Sequence, residues 1–263
     1  MAEDRASLRQ MFNGDAELYD RARPGYPAEL FDLLPVGRVL EIGPGTGQAT
    51  EALAARGNQI VAVELGPQMA DVARRKLARF PRVEVVTTDF ETWPLPEEPF
   101  DLVLAATSFH WIDPDIRVSK AARALRPGGM LATISTHHTA SGTDADEFFA
   151  DAQECYLRFD PDTPPGLLLE PADEIPMDSA EIDASPDFGP ATFHRFEWDQ
   201  PYSTQSYLDV LTTYSGHRAL PPAARNGLLR CIGNLSDSKY ASQITKHYLT
   251  ELRLANRLTT ATR

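Results

Sequence analysis

Residues Val39 to Gly47 read VLEIGPGTG, and this short run limits the fold more than any other part of the chain. An apolar β-branched stretch that ends in glycines at 43, 45 and 47 describes a strand turning tightly into a helix. Such a turn lets backbone pass close to a ligand and leaves the amide N–H groups at the helix start free to donate. Three ligand classes use this device. A triphosphate loop needs a lysine after its last glycine, and here Gln48 follows Gly47. A dinucleotide loop of the pattern G-x-G-x-x-G would place its third glycine at 48, which is again Gln48.

Beyond the loop, strand and helix patterns alternate from Arg38 to Thr136, the signature of a doubly wound α/β sheet. The pattern predicts strands over 38–43, 59–64, 83–89, 100–106 and 129–136, with helices over about 46–56, 67–79 and 114–125 between them. The RPGG run at 126–129 is expected to end the last of these helices in a glycine turn. Two short helices broken at Pro24 and Pro27 precede this core. Prolines and carboxylates accumulate over 160–190, a composition that suits a lid, a binding insertion or disorder. Strand-like alternation returns at 192–198 and 243–255, with helical patterns near 203–214 and 221–235. The expected division is a helical cap over 1–37, a core over 38–139, a substrate-side cap and insertion over 140–240, and a last core strand within 241–263.

Charge and cysteine content narrow the function. The 263 residues carry a net charge of −13, which repels phosphate backbones and argues against a nucleic-acid partner. Hydrophobic residues make up 42% and charged residues 24%, as in an ordinary globular domain, and no apolar run is long enough for a membrane span. An N-terminus without the apolar core of a signal peptide points to the cytoplasm. Cys155 and Cys231 lie far apart and outside any C-x-x-C pair, so both are expected to be buried thiols, with neither a disulfide nor a metal site.

Carboxylates at strand ends refine the ligand. Glu64 closes the second strand, where an acid can accept both hydroxyls of an adenosine ribose. Asp89 and Phe90 follow the third strand and suit the exocyclic amine and the face of adenine. Glu41, two residues before the first glycine, can hold the loop or accept from an ammonium group. A ligand with adenine, ribose and an amino-acid end, without phosphate, would use all three.

VLEIGPGTG, VAVELGPQM, VVTTDFETWPL, FDLVLAATSFHWID and RALRPGGML, in this order over residues 38–136, together resemble the motifs of class I S-adenosylmethionine-dependent methyltransferases. The YDRARPGYP lead-in and the SFHW segment are similar to the type 11 subgroup that includes trans-aconitate methyltransferases. The resemblance implies a Rossmann-like, seven-stranded, mostly parallel sheet with a helical lead-in and a cap inserted before the last strands. It also implies S-adenosylmethionine as cofactor, S-adenosylhomocysteine as product and a small-molecule acceptor, methylated at a carboxylate or hydroxyl oxygen or at sulfur. A monomer or homodimer is expected. The other reading is a non-catalytic cofactor-binding partner that activates another methyltransferase. A nicotinamide enzyme is disfavoured by Gln48 and Asp89.

Carried over residue by residue, the resemblance sets Gly43, Pro44, Gly45 and Gly47 against the cofactor, with Glu41 under the loop. It gives Glu64 the ribose hydroxyls, Leu65 and Met69 the adenine lining, Asp89 and Phe90 the adenine edge and face, and Ala106 a backbone approach. Arg23 would pair with the methionine carboxylate, or stand as a surface arginine. His110 is the candidate base, with shaping of the pocket floor as its other role. Tyr19, Tyr26, Trp111, His217 and Arg218 are candidate substrate contacts; Tyr19 also suits helix packing, and His217 and Arg218 local capping. His137 and His138 read as an exposed pair. No metal site is expected.

Overall fold

The computed structural model describes residues 15–160, 162–166 and 168–259. Residues 1–14 of the expected N-terminal cap, positions 161 and 167 of the proline-rich segment, and 260–263 of the last segment lie outside them.

Seven strands form one sheet: β1 (Arg38–Ile42), β2 (Gln59–Glu64), β3 (Val83–Thr87), β4 (Phe100–Ala106), β5 (Leu125–Thr139), β6 (Thr192–Ser203) and β7 (Gln243–Asn256). Their order is β3-β2-β1-β4-β5-β7-β6. The first five pair in parallel, and β7 runs antiparallel between β5 and β6. The chain winds outward from β1 to β3 and then returns to lay β4 beside β1. That reversal opens a crevice at the carboxyl ends of β1 and β4, where sheets of this class bind ligands.

Two helices lead in, α1 (Ala16–Ala22) and α2 (Ala28–Asp32), and three cross over between strands: α3 (Gln48–Ala55), α4 (Pro67–Leu77) and α5 (Pro114–Ala124). Because β1 and β4 are covered on both faces, their residues are apolar almost throughout rather than alternating. Leu40, Ile42, Val103 and Leu131 pack on one face, and Val39, Leu102, Leu104 and Ile134 on the other.

The cap contains a helix that the sequence reading did not resolve, α6 (Asp146–Phe159), followed by the short α7 (Ala180–Asp183) and by α8 (Thr204–Thr212), α9 (Ser215–Ala219) and α10 (Pro222–Lys239). Phe148, Ala152 and Cys155 are buried along one stripe of α6, at the i, i+4, i+7 spacing of an amphipathic helix. With Tyr207, Leu228, Ile232 and Ile244 they build a separate apolar cluster under α8 and α10.

Three expectations are corrected. The strand expected from 129 starts at Leu125: the RPGG run is a bulged part of β5, where pairing with β4 shifts between Phe100 and Leu102, and Gly128 sits at φ +74°. The segment 160–190 is not a lid on the crevice, because Ile182 and Phe188 are buried in the cluster that contains Leu40 and Phe100. Most consequentially, Cys155 and Cys231 are joined in a disulfide that ties α6 to α10 across 76 residues of sequence. Sequence distance said nothing about this pair, since the helix packing alone brings their Cα atoms to 5.7 Å. A cytoplasmic setting would keep the same two residues as thiols. No helix among the described residues is long and apolar enough to cross a membrane.

A cross-link over so long a loop constrains the unfolded chain. Cys231→Ser, or reduction of the wild type, should cost about 2–4 kcal/mol of unfolding free energy. Urea titration with and without reductant checks this, and equal midpoints would mean that the bond is not formed in solution.

Candidate functional site

The crevice opens into one cavity of about 530 Å³, within the usual range of small-molecule sites. At one end lies the glycine loop. Gly43, Gly45 and Gly47 all adopt left-handed backbone, at φ +66°, +60° and +90°. A Cβ on Gly43 would stand 2.7 Å from Ser108 Cβ, so a side chain there would displace the turn after β4.

The loop is held by Glu64. One of its oxygens accepts from Gly45 N–H at 2.9 Å and the other from Gly66 N–H at 2.7 Å, which pins the turn after β1 to the turn after β2. Glu41 has the opposite character. It is 1% exposed, lines the cavity, and neither carboxylate oxygen has a hydrogen-bond partner among the described residues. Burial, the main cause, pushes its pKa up to about 7; nearby Thr50 counters this in part and the Glu64 charge adds to it. Of the two roles open to Glu41 in the sequence, holding the loop falls to Glu64. An orphaned carboxylate aimed into the cavity fits a cationic group of a ligand.

Other expected cofactor residues are gathered here as well. Pro44, Leu65, Met69, Phe90 and Ala106 line the cavity. Gly47 does not; it caps the start of α3. Asp89 is likewise off the wall, where Thr88 and Phe90 stand instead, and its carboxylate accepts from Glu91 N–H at 2.9 Å. Arg23 lines the cavity and is not a free surface arginine, since it donates to the Thr213 hydroxyl at 2.8 Å and backbone carbonyl at 3.2 Å. Its guanidinium lies 4.5 Å from the centre of the Tyr214 ring and 5.1 Å from that of Tyr19.

Tyr26, His110 and Trp111 line the cavity beyond the end of β4, whereas Tyr19 stands by the glycine loop, its ring 3.8 Å from where a Cβ on Gly45 would lie. His110 follows β4 on a 3₁₀ turn, its ring 4.7 Å from that of Trp111. The surrounding protein, and secondarily the Arg117 charge, lower its imidazole pKa, so it is a neutral proton acceptor at neutral pH. Thr107, just before, is held at φ +52°, a conformation costly for a β-branched residue. Its hydroxyl meets Tyr26 Oη at 3.2 Å and its N–H donates to Ile134 at 2.8 Å.

His217 and Arg218 are not on this wall. His217 bonds Tyr156 Oη at 3.0 Å inside the cap, and Arg218 borders a shallow depression with Asp15 and Arg225. Nor are the two strand-end histidines an exposed pair. His137 is partly buried and meets Ser135 Oγ at 3.2 Å, whereas His138 lines the cavity, packed edge-on against Phe149. Burial, helped by the Lys246 and His247 charges, lowers the pKa of His138 to about 2.

Sequence reasoning missed Tyr214, Lys246 and Tyr248, which complete this end of the cavity. The signal was present in β7, where Ile244, Lys246 and Tyr248 share the buried register of an alternating strand.

Against known proteins, residues 40–133 match the family model described as a methyltransferase domain. Over these residues the chain is similar to methyltransferase domains. An uncharacterized methyltransferase of Mycobacterium tuberculosis is 39% identical to it over 137 residues, covering 51% of this chain and 55% of that protein. A methyltransferase-like protein of Schizosaccharomyces pombe is 34% identical over 131 residues, 47% of this chain and 50% of that one. The chain thus spans about half the length of the curated relatives it matches. A solved putative type II methyltransferase from Anaeromyxobacter dehalogenans aligns with a TM-score of 0.61 at 24% identity, covering 89% of this chain and 97% of that one, a likeness of fold. The glycine loop lies within the matched residues, and the cap falls outside them.

Glu41 generates a signed pH dependence. Its carboxyl stays protonated in the folded chain to about pH 7 but ionises near 4.5 when unfolded, so stability falls as pH rises between those values and levels off above. The shift corresponds to about 3 kcal/mol. Glu41→Gln should lose this slope and be more stable than wild type at pH 8 in urea titrations without cofactor. Parallel pH profiles for the two proteins would show that Glu41 is not desolvated.

Proposed function

We propose that the protein methylates a small molecule at oxygen, a hydroxyl or a carboxylate, or at sulfur, using S-adenosylmethionine. The observation that carries this reading is one cavity with two unlike ends: an orphaned carboxylate beside a glycine loop, and a chamber of aromatic and basic side chains beyond the end of β4.

Bound S-adenosylmethionine supplies a sulfonium-activated methyl group. The chain must therefore mainly position the acceptor, take its proton where it has one and keep water out. Glu41 accepts from the amino-acid ammonium, and Arg23 pairs with the carboxylate of the same moiety. Glu64 retains lone pairs for the ribose hydroxyls after binding its two backbone N–H groups. Met69 and Phe90 flank the adenine. His110 takes the proton of a hydroxyl or thiol acceptor, its lowered pKa keeping it neutral for that task. The strained turn at Thr107 and Ser108 holds the floor between the two ends. A net charge of −13 and the enclosed cavity favour a small acceptor over nucleic acid.

The test is calorimetric titration with S-adenosylhomocysteine and, separately, NAD. The former should bind at micromolar concentration and the latter not at all; the reverse result refutes the reading. Glu41→Gln should weaken S-adenosylhomocysteine by about 1.5–3 kcal/mol, the worth of a hydrogen bond to a charged group. His110→Ala should leave that affinity unchanged and slow turnover about 100-fold on a hydroxyl or thiol acceptor. Unchanged turnover would reduce His110 to packing.

A further inference from the structure

Lys246 presents a problem that the methyltransferase reading leaves unsolved. It sits in the middle of β7 with only 3% of its surface exposed, and it lines the cavity. Its ammonium donates to Tyr214 Oη at 2.9 Å and lies 4.9 Å from the centre of the Tyr248 ring and 5.1 Å from that of Tyr214. No carboxylate of the described residues forms an ion pair with it. The acids nearby in sequence serve the other face of the strand, where Glu197 and Asp199 pair with His247, and Glu251 pairs with Arg195. A buried ammonium with one hydrogen bond of three and no counter-charge is strongly disfavoured unless a ligand completes it.

The neighbouring wall points the same way. His138 stands opposite Tyr248 in the β5–β7 register, and its Nε2 is buried with no hydrogen-bond partner among the described residues. Across the Tyr214 ring lies the Arg23 guanidinium. Lys246 and His138 thus border a chamber to which no carboxylate of the described residues contributes, since Glu41 and Glu64, the acids that line the cavity, stand at the glycine-loop end. Trp111, Tyr214 and Tyr248 supply flat apolar walls between the polar groups.

We propose that the acceptor is an organic acid with a flat unsaturated or aromatic body, and that the Lys246 ammonium, together with the Tyr214 hydroxyl, binds its carboxylate. The word acceptor rests on the methyltransferase reading; the anion site does not. Lys246 supplies charge and Tyr214 direction, since the phenol accepts from Lys246 and stands within a hydroxyl pair with Tyr248 that a carboxylate oxygen can join. Burial alone would raise the Tyr214 pKa, but the charges of Lys246 and Arg23 lower it overall, which strengthens the phenol as a donor. His138, neutral through its lowered pKa, offers its Nε2 to a second polar atom of the same ligand.

The one internal alternative is Tyr214 as a phenolate, which would itself neutralise Lys246. Tyrosinate absorbance near 295 nm, compared between wild type and Tyr214→Phe at pH 7.5, separates the two. Equal absorbance per remaining tyrosine is expected; an extra tyrosinate in wild type overturns the proposal.

The binding experiment uses the full chain and titrates benzoate, cinnamate and phenylacetate against their matched amides, with phenyl phosphate as a further anion. At least one acid should bind about tenfold more tightly than its amide, a preference worth about 1.4 kcal/mol. Lys246→Met, which keeps the length of the side chain, should abolish the preference without weakening S-adenosylhomocysteine. The proposal is overturned if no acid outbinds its amide, if Lys246→Met retains the preference, or if phenyl phosphate outbinds every carboxylate. Failure of S-adenosylhomocysteine to bind wild type would instead refute the methyltransferase reading and leave the acid-against-amide result to decide the anion site by itself.

Discussion

The Glu64 carboxylate is the contact on which the rest of the site depends. By accepting one backbone N–H from the loop after β1 and one from the loop after β2, it fixes the distance between two turns that parallel strand pairing leaves unconstrained. Left-handed glycines permit the close approach, but permission is not geometry: glycine also has the widest choice of alternative conformations, and something must select one. A charged acceptor bonded to two backbone amides does so more firmly than a neutral one. The fixed loop in turn leaves Glu41 behind it, buried and without a close hydrogen-bond partner among the described residues. Its elevated pKa reflects that burial.

How far the molecule could be read from its sequence follows from where each constraint acts. Strands β1 to β4 and their crossover helices are dictated locally, by apolar runs, glycine turns and prolines at helix starts, and these were legible. So was the position of Glu41, Glu64 and Phe90 on the cavity wall, because each lies at or just past the carboxyl end of a strand. The RPGG run misled because a glycine pair after a helix reads as a turn, while in the fold Asp101, accepting from Arg126, and the backbone of Arg257, paired with Gly128 and Gly129, hold it in the sheet as a bulge. The α6 stripe was legible in its spacing and overlooked beside the proline-rich run that follows.

What could not be read locally is the far end of the cavity. Arg23 reaches Thr213 across 190 positions, and Tyr26 reaches Thr107 across 81. His138 and Tyr248 come together only through the antiparallel placement of β7 between β5 and β6. The Cys155–Cys231 disulfide belongs to the same layer, since it joins the helices that close the cap over Tyr202 and Tyr207. No periodicity reports such pairings. They are set by which surfaces the sheet leaves uncovered, and so they vary on a fold whose core motifs stay recognisable.

This division explains how an acidic protein can hold a basic chamber. The net charge of −13 acts at long range, where salt screens it within roughly 8 Å at physiological ionic strength. Lys246 and Arg23 act at contact distance inside low-dielectric walls, where screening is weak and each charge counts for more. Distant repulsion therefore affects how often an anion arrives, and local attraction how long it stays. A cavity acidic at the glycine loop and basic at β7 also orients whatever fills it: a cationic group is drawn toward Glu41 and an anionic one toward Lys246. Charge placement alone thus distinguishes the two ends before any shape complementarity is considered.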